Sequence, residues 1–408
     1  MKNRSASLSL AIALLVSFID YMGLGLVYPM FSSMLFDPAN PLLPAETSEA
    51  ARGVWLGILI ALFPFAQFFG SPIWGTLSDG KGRKKPLLYS LGLALMGYLI
   101  AFMGVFESSL LLLLISRLVI GFASGNMAIV QATVADISSA ESKGKNFALY
   151  SMSLGAGFTL GPFLGGVLSK WGFSTPFIFA AGVLALNLGF VMLFFKETHQ
   201  KPVNTKINWA LGFIQIKKAF RFKDIRLILL CTFLHCFVWS FFFEFVPVYF
   251  IDKYQFSSTD LGWFFGASGA FYALSTGLLI RPFIGRFKPE LLFFSGNFFA
   301  GLAVLAILGI PSVHWLWSST FLVQFFVAFV WPNATTMISN SASAEIQGEA
   351  LGVFASVNAL ALILSPLFSG SLIGRHPSLP MWVGGLGMLG IALLGVSTFR
   401  KNLFKDKR

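Results

Sequence analysis

Apolar runs of about 20 residues or more recur from one end of this chain to the other, separated by short charged or glycine-bearing turns. A helix rising about 1.5 Å per residue needs that length to cross the hydrocarbon of a bilayer. With 56% hydrophobic and 11% charged residues, and a mean hydropathy of +0.77, the chain is too apolar for a soluble core, so lipid must cover it. The alternating segments of about ten residues that mark membrane barrels are missing. The expected fold class is therefore all-α integral membrane.

The runs place twelve transmembrane helices at 8–31, 53–76, 87–106, 109–134, 147–169, 175–195, 226–251, 259–282, 290–310, 315–338, 348–371 and 379–399. The longest polar break, Lys196 to Arg226, splits them six and six. Its cations are Lys196, Lys201, Lys206, Lys217, Lys218, Arg221, Lys223 and Arg226. The expected organisation is an N-terminal six-helix bundle over 1–195, a cytoplasmic basic linker over 196–225 and a C-terminal bundle over 226–408. Within the linker, the stretch from Trp209 to Phe220 mixes aromatic, aliphatic and basic residues, as in an amphipathic helix lying on the inner leaflet.

A net charge of +12 invites a nucleic-acid reading, but the placement of the charge argues against one. With the N-terminus in the cytoplasm, 24 of the 29 Lys and Arg fall in cytoplasmic segments. Only Arg52, Lys170, Lys253 and Arg375 fall outside, and Arg117 lies within a span. That bias is the positive-inside rule. It predicts a multi-pass inner-membrane protein with both termini cytoplasmic and no nucleic-acid partner. Lys2 and Arg4 ahead of an apolar run resemble a signal peptide, but the run continues past Asp20 to Phe31 without a small-residue cleavage site. Cys231 and Cys236, the only cysteines, share the seventh span at a spacing unsuited to a disulfide.

The two halves match at an offset of 204 residues, pairing Ala140-Glu141 with Ala344-Glu345, Gly144 with Gly348, Pro162 with Pro366, Gly166 with Gly370, Leu168 with Leu372, Ser174 with Ser378 and Pro176 with Pro380. Such a match indicates a duplication, and parallel six-helix repeats are one way to build a transporter.

Two motifs carry more than topology. Gly75-Thr-Leu-Ser-Asp79-Gly-Lys-Gly82-Arg83-Lys84-Lys85 is a charge-dense turn between two spans; its glycines permit a sharp turn and its cations hold it in the cytoplasm. Gly157-Phe-Thr-Leu-Gly161-Pro162-Phe-Leu-Gly165-Gly166 repeats glycine every four residues, aligning one helix face for close packing, with a proline to bend it. Together these resemble the paired signatures of the major facilitator superfamily, and in particular its drug:proton antiporter branch, with tetracycline exporters the likeness that can be named. The resemblance covers nearly the whole chain. It implies two pseudo-symmetric six-helix bundles and alternating access, with the first motif an inner latch in which Asp136 partners Arg83 and the second a mark of antiport. The chain departs from the tetracycline exporters in its ninth span, which carries no acidic residue beyond Glu290. The second-half counterpart of the latch, Gly277 to Arg286, lacks the aspartate, so the latch is expected to be asymmetric.

Ionisable residues within spans are costly and default to functional roles. Asp20 lies near the middle of the first span, and Arg117 in the fourth lies at a compatible depth. Burial would raise a carboxyl pKa and a guanidinium would lower it, so substrate arrival could exchange for a proton; a static buried pair is the alternative. Arg117 opens Arg117-Leu-Val-Ile-Gly121-Phe-Ala-Ser-Gly125, a partial match to a family motif in which Ile120 stands where glutamine is usual. Glu244, three residues before Pro247, reads equally as a cavity carboxylate or a wetted rim group. Asn126, Gln131, Gln324, Asn333 and Asn358 are buried amides that hydrogen-bond between helices or orient substrate. Trp239 and Trp331 offer stacking surface, and His235 reads first as a packing histidine and second as a relay.

No nucleotide-binding loop occurs, so an ion gradient is the expected driving force and no cofactor or metal is expected. One charge crossing 100 mV is worth roughly 2.3 kcal/mol. The leading reading is a monomeric, proton-coupled exporter of small amphiphilic organic molecules rather than an enzyme. A proton-linked importer, or an exporter of an endogenous metabolite such as a siderophore, is the alternative on the same fold. A non-transporting membrane sensor or scaffold is the alternative of another class.

Overall fold

The computed structural model describes residues 2–36, 42–139, 141–199, 207–219, 221, 225–342 and 346–403. Ala140, Ala344 and Glu345 of the repeat match, and Lys201, Lys206 and Lys223 of the linker, lie outside the described residues. Where hydrocarbon offers no hydrogen bonds, the backbone must satisfy itself, and helices do so within one segment. The described residues form α1 (Lys2–Leu26), α2 (Tyr28–Phe36), α3 (Glu49–Lys81), α4 (Lys84–Phe106), α5 (Leu110–Ala123), α6 (Met127–Ile137), α7 (Lys143–Leu168), α8 (Thr175–Phe194), α9 (Leu211–Ala219), α10 (Arg226–Tyr254), α11 (Ser258–Leu274), α12 (Arg281–Ile284), α13 (Pro289–Gly309), α14 (Val313–Val327), α15 (Val330–Ser341), α16 (Gln347–Ile373) and α17 (Leu379–Leu403).

Eleven helical spans among the described residues are long and apolar enough to cross a membrane. The difference from the twelve expected lies in the eighth span, 259–282. There α11 stops at Leu274 and a π-helical turn over Ser275–Leu279 follows, closed by Ile280 N–H donating to Ser275 O at 3.0 Å, before Pro282 continues in α12. The run is thus interrupted near Gly277 rather than missing. The first span also breaks, at Val27 ahead of Pro29, and the fourth tightens into a 3₁₀ turn at Ser124–Asn126. In the linker, α9 occupies the stretch expected to be an amphipathic helix.

Contacts gather the chain into two units. The first comprises Met1–Glu46, Leu62–Gly212 and Ser257–Gly266; the second comprises Thr47–Ala61, Phe213–Phe256 and Ala267–Arg408. Lipid tails are as apolar as the helices, so packing within each unit depends on close backbone approach at small residues. In the first unit, α7 lies along α1. A Cβ added at Gly157, Gly161 or Gly165 would sit 2.3 Å from the carbonyl oxygens of Phe18, Met22 and Leu26 respectively. The four-residue glycine spacing therefore tracks one helical turn of α1 after another. Gly166, on the next face, is held 2.7 Å by the same measure from the backbone of Gly262. Its repeat partner Gly370 is packed in the second unit against Gly53, with 2.3 Å from the would-be Cβ to the Gly53 carbonyl. Equivalent glycines of the duplicated sequence thus make equivalent helix contacts.

Large apolar side chains on the outward faces stay exposed, among them Met96 and Met103 on α4, Leu186 and Leu193 on α8 and Leu393 on α17. Contiguous surface of this kind is suited to lipid.

Replacing Gly161 with leucine should force α1 off α7. Overpacking of a tight contact costs about 1–3 kcal/mol or more, so the variant should melt well below the parent in detergent, whereas Gly182→Ala, at a glycine with open space around it, should not.

Candidate functional site

In the first unit, Asp20 is positioned by the glycine contacts just described. It follows Phe18, whose carbonyl faces Gly157, and precedes Gly23, where an added Cβ would fall 2.1 Å from the Tyr98 hydroxyl. The residue is half-buried, and its Oδ2 is wholly buried without a hydrogen-bond partner. Asn126 is close enough to influence the Asp20 carboxyl, yet both polar atoms of its fully buried amide lack a partner of good geometry. The hydroxyls of Tyr98 and Tyr150 lie in electrostatic range of Asp20, and Tyr98 also senses Arg117. Arg117 is 4% exposed, with its guanidinium carbon 5.3 Å from the Phe31 ring centre and 4.9 Å from that of Phe63. Cation–π contact of this kind tolerates a charge where water is scarce. Gln131 Nε2 donates to Tyr150 Oη at 3.1 Å.

The sequence around Arg117 explains how Asn126 reaches this cluster. A Cβ at Gly121 or Gly125 would stand 2.4 Å from the backbone of Phe63 or Gly70, so the fourth span is pressed against α3 at both glycines. There the helix tightens into the 3₁₀ turn that ends on Asn126, and Trp74 Nε1 locks the seam by donating to Phe122 O at 2.8 Å. Asp20, Arg117 and Asn126, singled out separately from sequence, thus share one polar cluster. Tyr98 and Tyr150 were missed; their only signal was a hydroxyl within an apolar span.

The charged turn forms a second cluster in the first unit. Gly82 adopts φ 82°, a left-handed conformation that favours glycine, and turns the chain between α3 and α4. Arg83, 4% exposed, donates from Nε to Asp136 Oδ2 at 2.9 Å and from Nη1 to Asp79 Oδ1 at 2.5 Å and Ser78 Oγ at 2.8 Å. Burial works against its charge, and the two carboxylates outweigh that effect. Gly75 meets only Ala128 Cβ at 3.6 Å, ordinary contact that alanine would tolerate.

Sequence reading missed the group that closes this turn. Glu197, just past α8, accepts from the backbone N–H groups of Arg83 at 2.8 Å and Lys84 at 3.1 Å, and from those of Thr198 and His199 at 3.0 Å. It thereby satisfies orphan donors at the start of α4 from a distant part of the chain. His199 Nδ1 comes within 3.5 Å of Arg83 Nη2 and 4.0 Å of Asp136 Oδ2. Burial alone would raise the Glu197 carboxyl, but its four backbone hydrogen bonds hold it below the usual range.

The second unit holds the remaining candidates. Glu244 is buried, and its Oε2 accepts from Ser240 Oγ at 2.6 Å. Trp239 stacks on Phe243 with centroids 5.4 Å apart, and Trp331 meets the Phe354 ring edge-on at 6.1 Å. Asn333 Nδ2 donates to Phe329 O at 2.7 Å, four residues earlier in the chain. Asn358 Oδ1 accepts from Cys236 Sγ at 3.3 Å while its Nδ2 is buried without a partner. Gln324 is buried in α14, and both cysteines are free. No group of His, Cys, Asp and Glu among the described residues could hold a metal ion.

Long apolar helices, packed by glycines and enclosing buried ionisable groups, define a helical membrane protein. The Major Facilitator Superfamily model matches residues 10–366, and the chain belongs to that family. It is 29% identical over 386 residues to the quinolone resistance protein NorA of Staphylococcus aureus, covering 93% of this chain and 92% of that protein. The class G tetracycline resistance protein of Vibrio anguillarum is 28% identical over 398 residues, covering 94% and 95%. Among solved structures, the human organic anion transporter MFSD10 (TETRAN) superposes with a TM-score of 0.68 at 22% identity, covering 96% of this chain and 98% of that one. A peptide transporter POT mutant bound to alafosfalin reaches 0.75 at 14% identity, covering 99% and 98%. The fold expected from sequence is thus shown, and the protein is a transporter rather than an enzyme.

The Glu197 hydrogen bonds give a pH signature. A carboxyl whose folded pKa is depressed stabilises the fold above its unfolded value, about 4.3, and loses that contribution as pH falls through the folded value. Glu197→Gln should therefore melt below the parent at pH 7, and thermal scans in detergent should show the gap closing under acid conditions, below about pH 4.

Proposed function

We propose that this protein exports small amphiphilic organic compounds in exchange for protons, by alternating access, with Asp20 as the proton-carrying group. The observation that carries the reading is the Asp20 carboxyl itself. It sits within a helix of membrane-spanning length, with Oδ2 buried and unpartnered beside the unpartnered amide of Asn126. A carboxylate so placed is costly to keep ionised, and the Asn126 amide beside it is the group that offsets part of that cost. A group whose charge leans on one neighbouring amide suits a change of state in each cycle. Arg117 and Asp20 both act on the Tyr98 hydroxyl, and in this reading the cation is the third member of the coupling group.

Drug efflux is supported by the resemblance to NorA and to the class G tetracycline resistance protein. In the second unit, Trp239 and Trp331 supply aromatic surface and Glu244 supplies charge for cationic amphiphiles. Gln131, Gln324, Asn333 and Asn358 complete the proposed substrate-handling set. The Arg83 cluster with Asp79 and Asp136 acts as the cytoplasmic latch, and the close-packed Gly157, Gly161, Pro162, Gly165 and Gly166 helix limits leak. The protein works as a monomer in a bacterial inner membrane with both termini in the cytoplasm, its halves 1–195 and 226–408 acting as the two transport domains around the basic linker.

In inside-out vesicles energised with a pH gradient, the parent protein should accumulate a fluorescent cationic amphiphile and release lumenal protons. Asp20→Asn should abolish the proton-linked component while leaving exchange of substrate for substrate. Unchanged proton release in that variant would end the assignment of Asp20.

A further inference from the structure

We propose that His235, Trp239, Phe243 and Trp331 form a recognition site for planar aromatic compounds bearing an N–H or O–H group, which is donated to His235 Nε2. The inference rests on the exporter reading above and gives its substrate a chemical class.

The tautomer of His235 follows from its neighbour. Asn297 Nδ2 donates to Phe293 O at 2.9 Å, which turns the amide oxygen toward His235 Nδ1, 2.8 Å away. A carbonyl oxygen only accepts, so Nδ1 carries the hydrogen. A neutral imidazole then presents Nε2 as an acceptor, and Nε2 is buried without a hydrogen-bond partner in a residue only 2% exposed. Burying a polar atom unmet is costly, and most such atoms in folded proteins find a partner.

The surroundings select what that partner can be. On α10 the rings of His235 and Trp239 lie nearly parallel, 12° apart with centroids at 6.4 Å, and Trp239 continues onto Phe243 at 23°. Trp331, from α15, stands edge-on to His235 at 84° and 6.3 Å. Trp239, Phe243 and Trp331 are each only half-buried, whereas the His235 ring beside them is buried. Flat rings stack well on such a ladder. A flat ring that also carries a hydrogen donor satisfies Nε2, whereas its methylated counterpart leaves that atom unmet.

Two neutral planar fluorophores provide the test: carbazole, which bears one ring N–H, and N-methylcarbazole, in which that hydrogen is replaced by methyl. Affinities for the purified full-length protein in nanodiscs, read by fluorescence polarisation, give a carbazole-to-N-methylcarbazole ratio. Comparing ratios between proteins cancels the probes' difference in size and apolarity. In His235→Phe the preference for carbazole should fall about three- to tenfold, the worth of one hydrogen bond, with both probes still bound by stacking. His235→Gln, which keeps an acceptor, should retain part of the preference. If His235→Phe does not fold, the ¹⁵N resonance of His235 Nε2 in the parent protein should shift further on adding carbazole than on adding N-methylcarbazole. Equal ratios in parent and His235→Phe, equal resonance shifts with the two probes, or failure of both probes to bind would each overturn the site. Because binding is read without a gradient, such a result leaves the Asp20 vesicle assay to judge proton-coupled export separately.

Discussion

Close backbone approach at glycine is the interaction on which the rest of this structure depends. In lipid the hydrophobic effect does little to hold helices together, so van der Waals contact and interhelical hydrogen bonds must do it. Gly157, Gly161 and Gly165 bring α7 onto the carbonyls of Phe18, Met22 and Leu26, and that contact fixes the part of α1 that bears Asp20. Gly121 and Gly125 press the fourth span onto α3 and so place Asn126. A side chain at any of these positions would displace backbone, not merely a flexible neighbour.

Polar groups are then arranged by two different rules in two places. At the charged turn, close to water, satisfaction is nearly complete: Arg83 meets two carboxylates and a serine, and Glu197 meets four backbone donors. Within the spans, Asp20, Asn126, His235 and Asn358 each keep a buried atom without a partner. Well-met groups hold one arrangement. Unmet groups are costly where they stand, so any partner that reaches one of them improves a deficient environment.

Much of the fold was legible in the sequence, since apolar length and charge placement are local properties. The two glycine motifs could be read as close-packing faces because four-residue spacing maps onto one side of a helix. The π turn at Ser275–Leu279 was not legible, as nothing in an apolar run announces an extra residue in the helical ladder. Glu197 escaped notice for another reason: its partners, Arg83 and Lys84, are more than a hundred positions away. Tyr98 and Tyr150 likewise looked like ordinary aromatic residues until folding brought them to Asp20.

The sequence by itself determined that this chain is a helical membrane protein built from a duplicated unit, because spanning length, the positive-inside bias and the repeat of Pro162 and Gly166 in Pro366 and Gly370 need no tertiary context. Only the tertiary structure decided which polar side chains share an environment. It gathered Asp20, Arg117, Asn126 and Tyr98 into one cluster, and it fixed the His235 tautomer through Asn297. Hydrogen bonding and burial depend on distances of a few ångströms between segments far apart in the chain, and those distances exist only once the helices have packed.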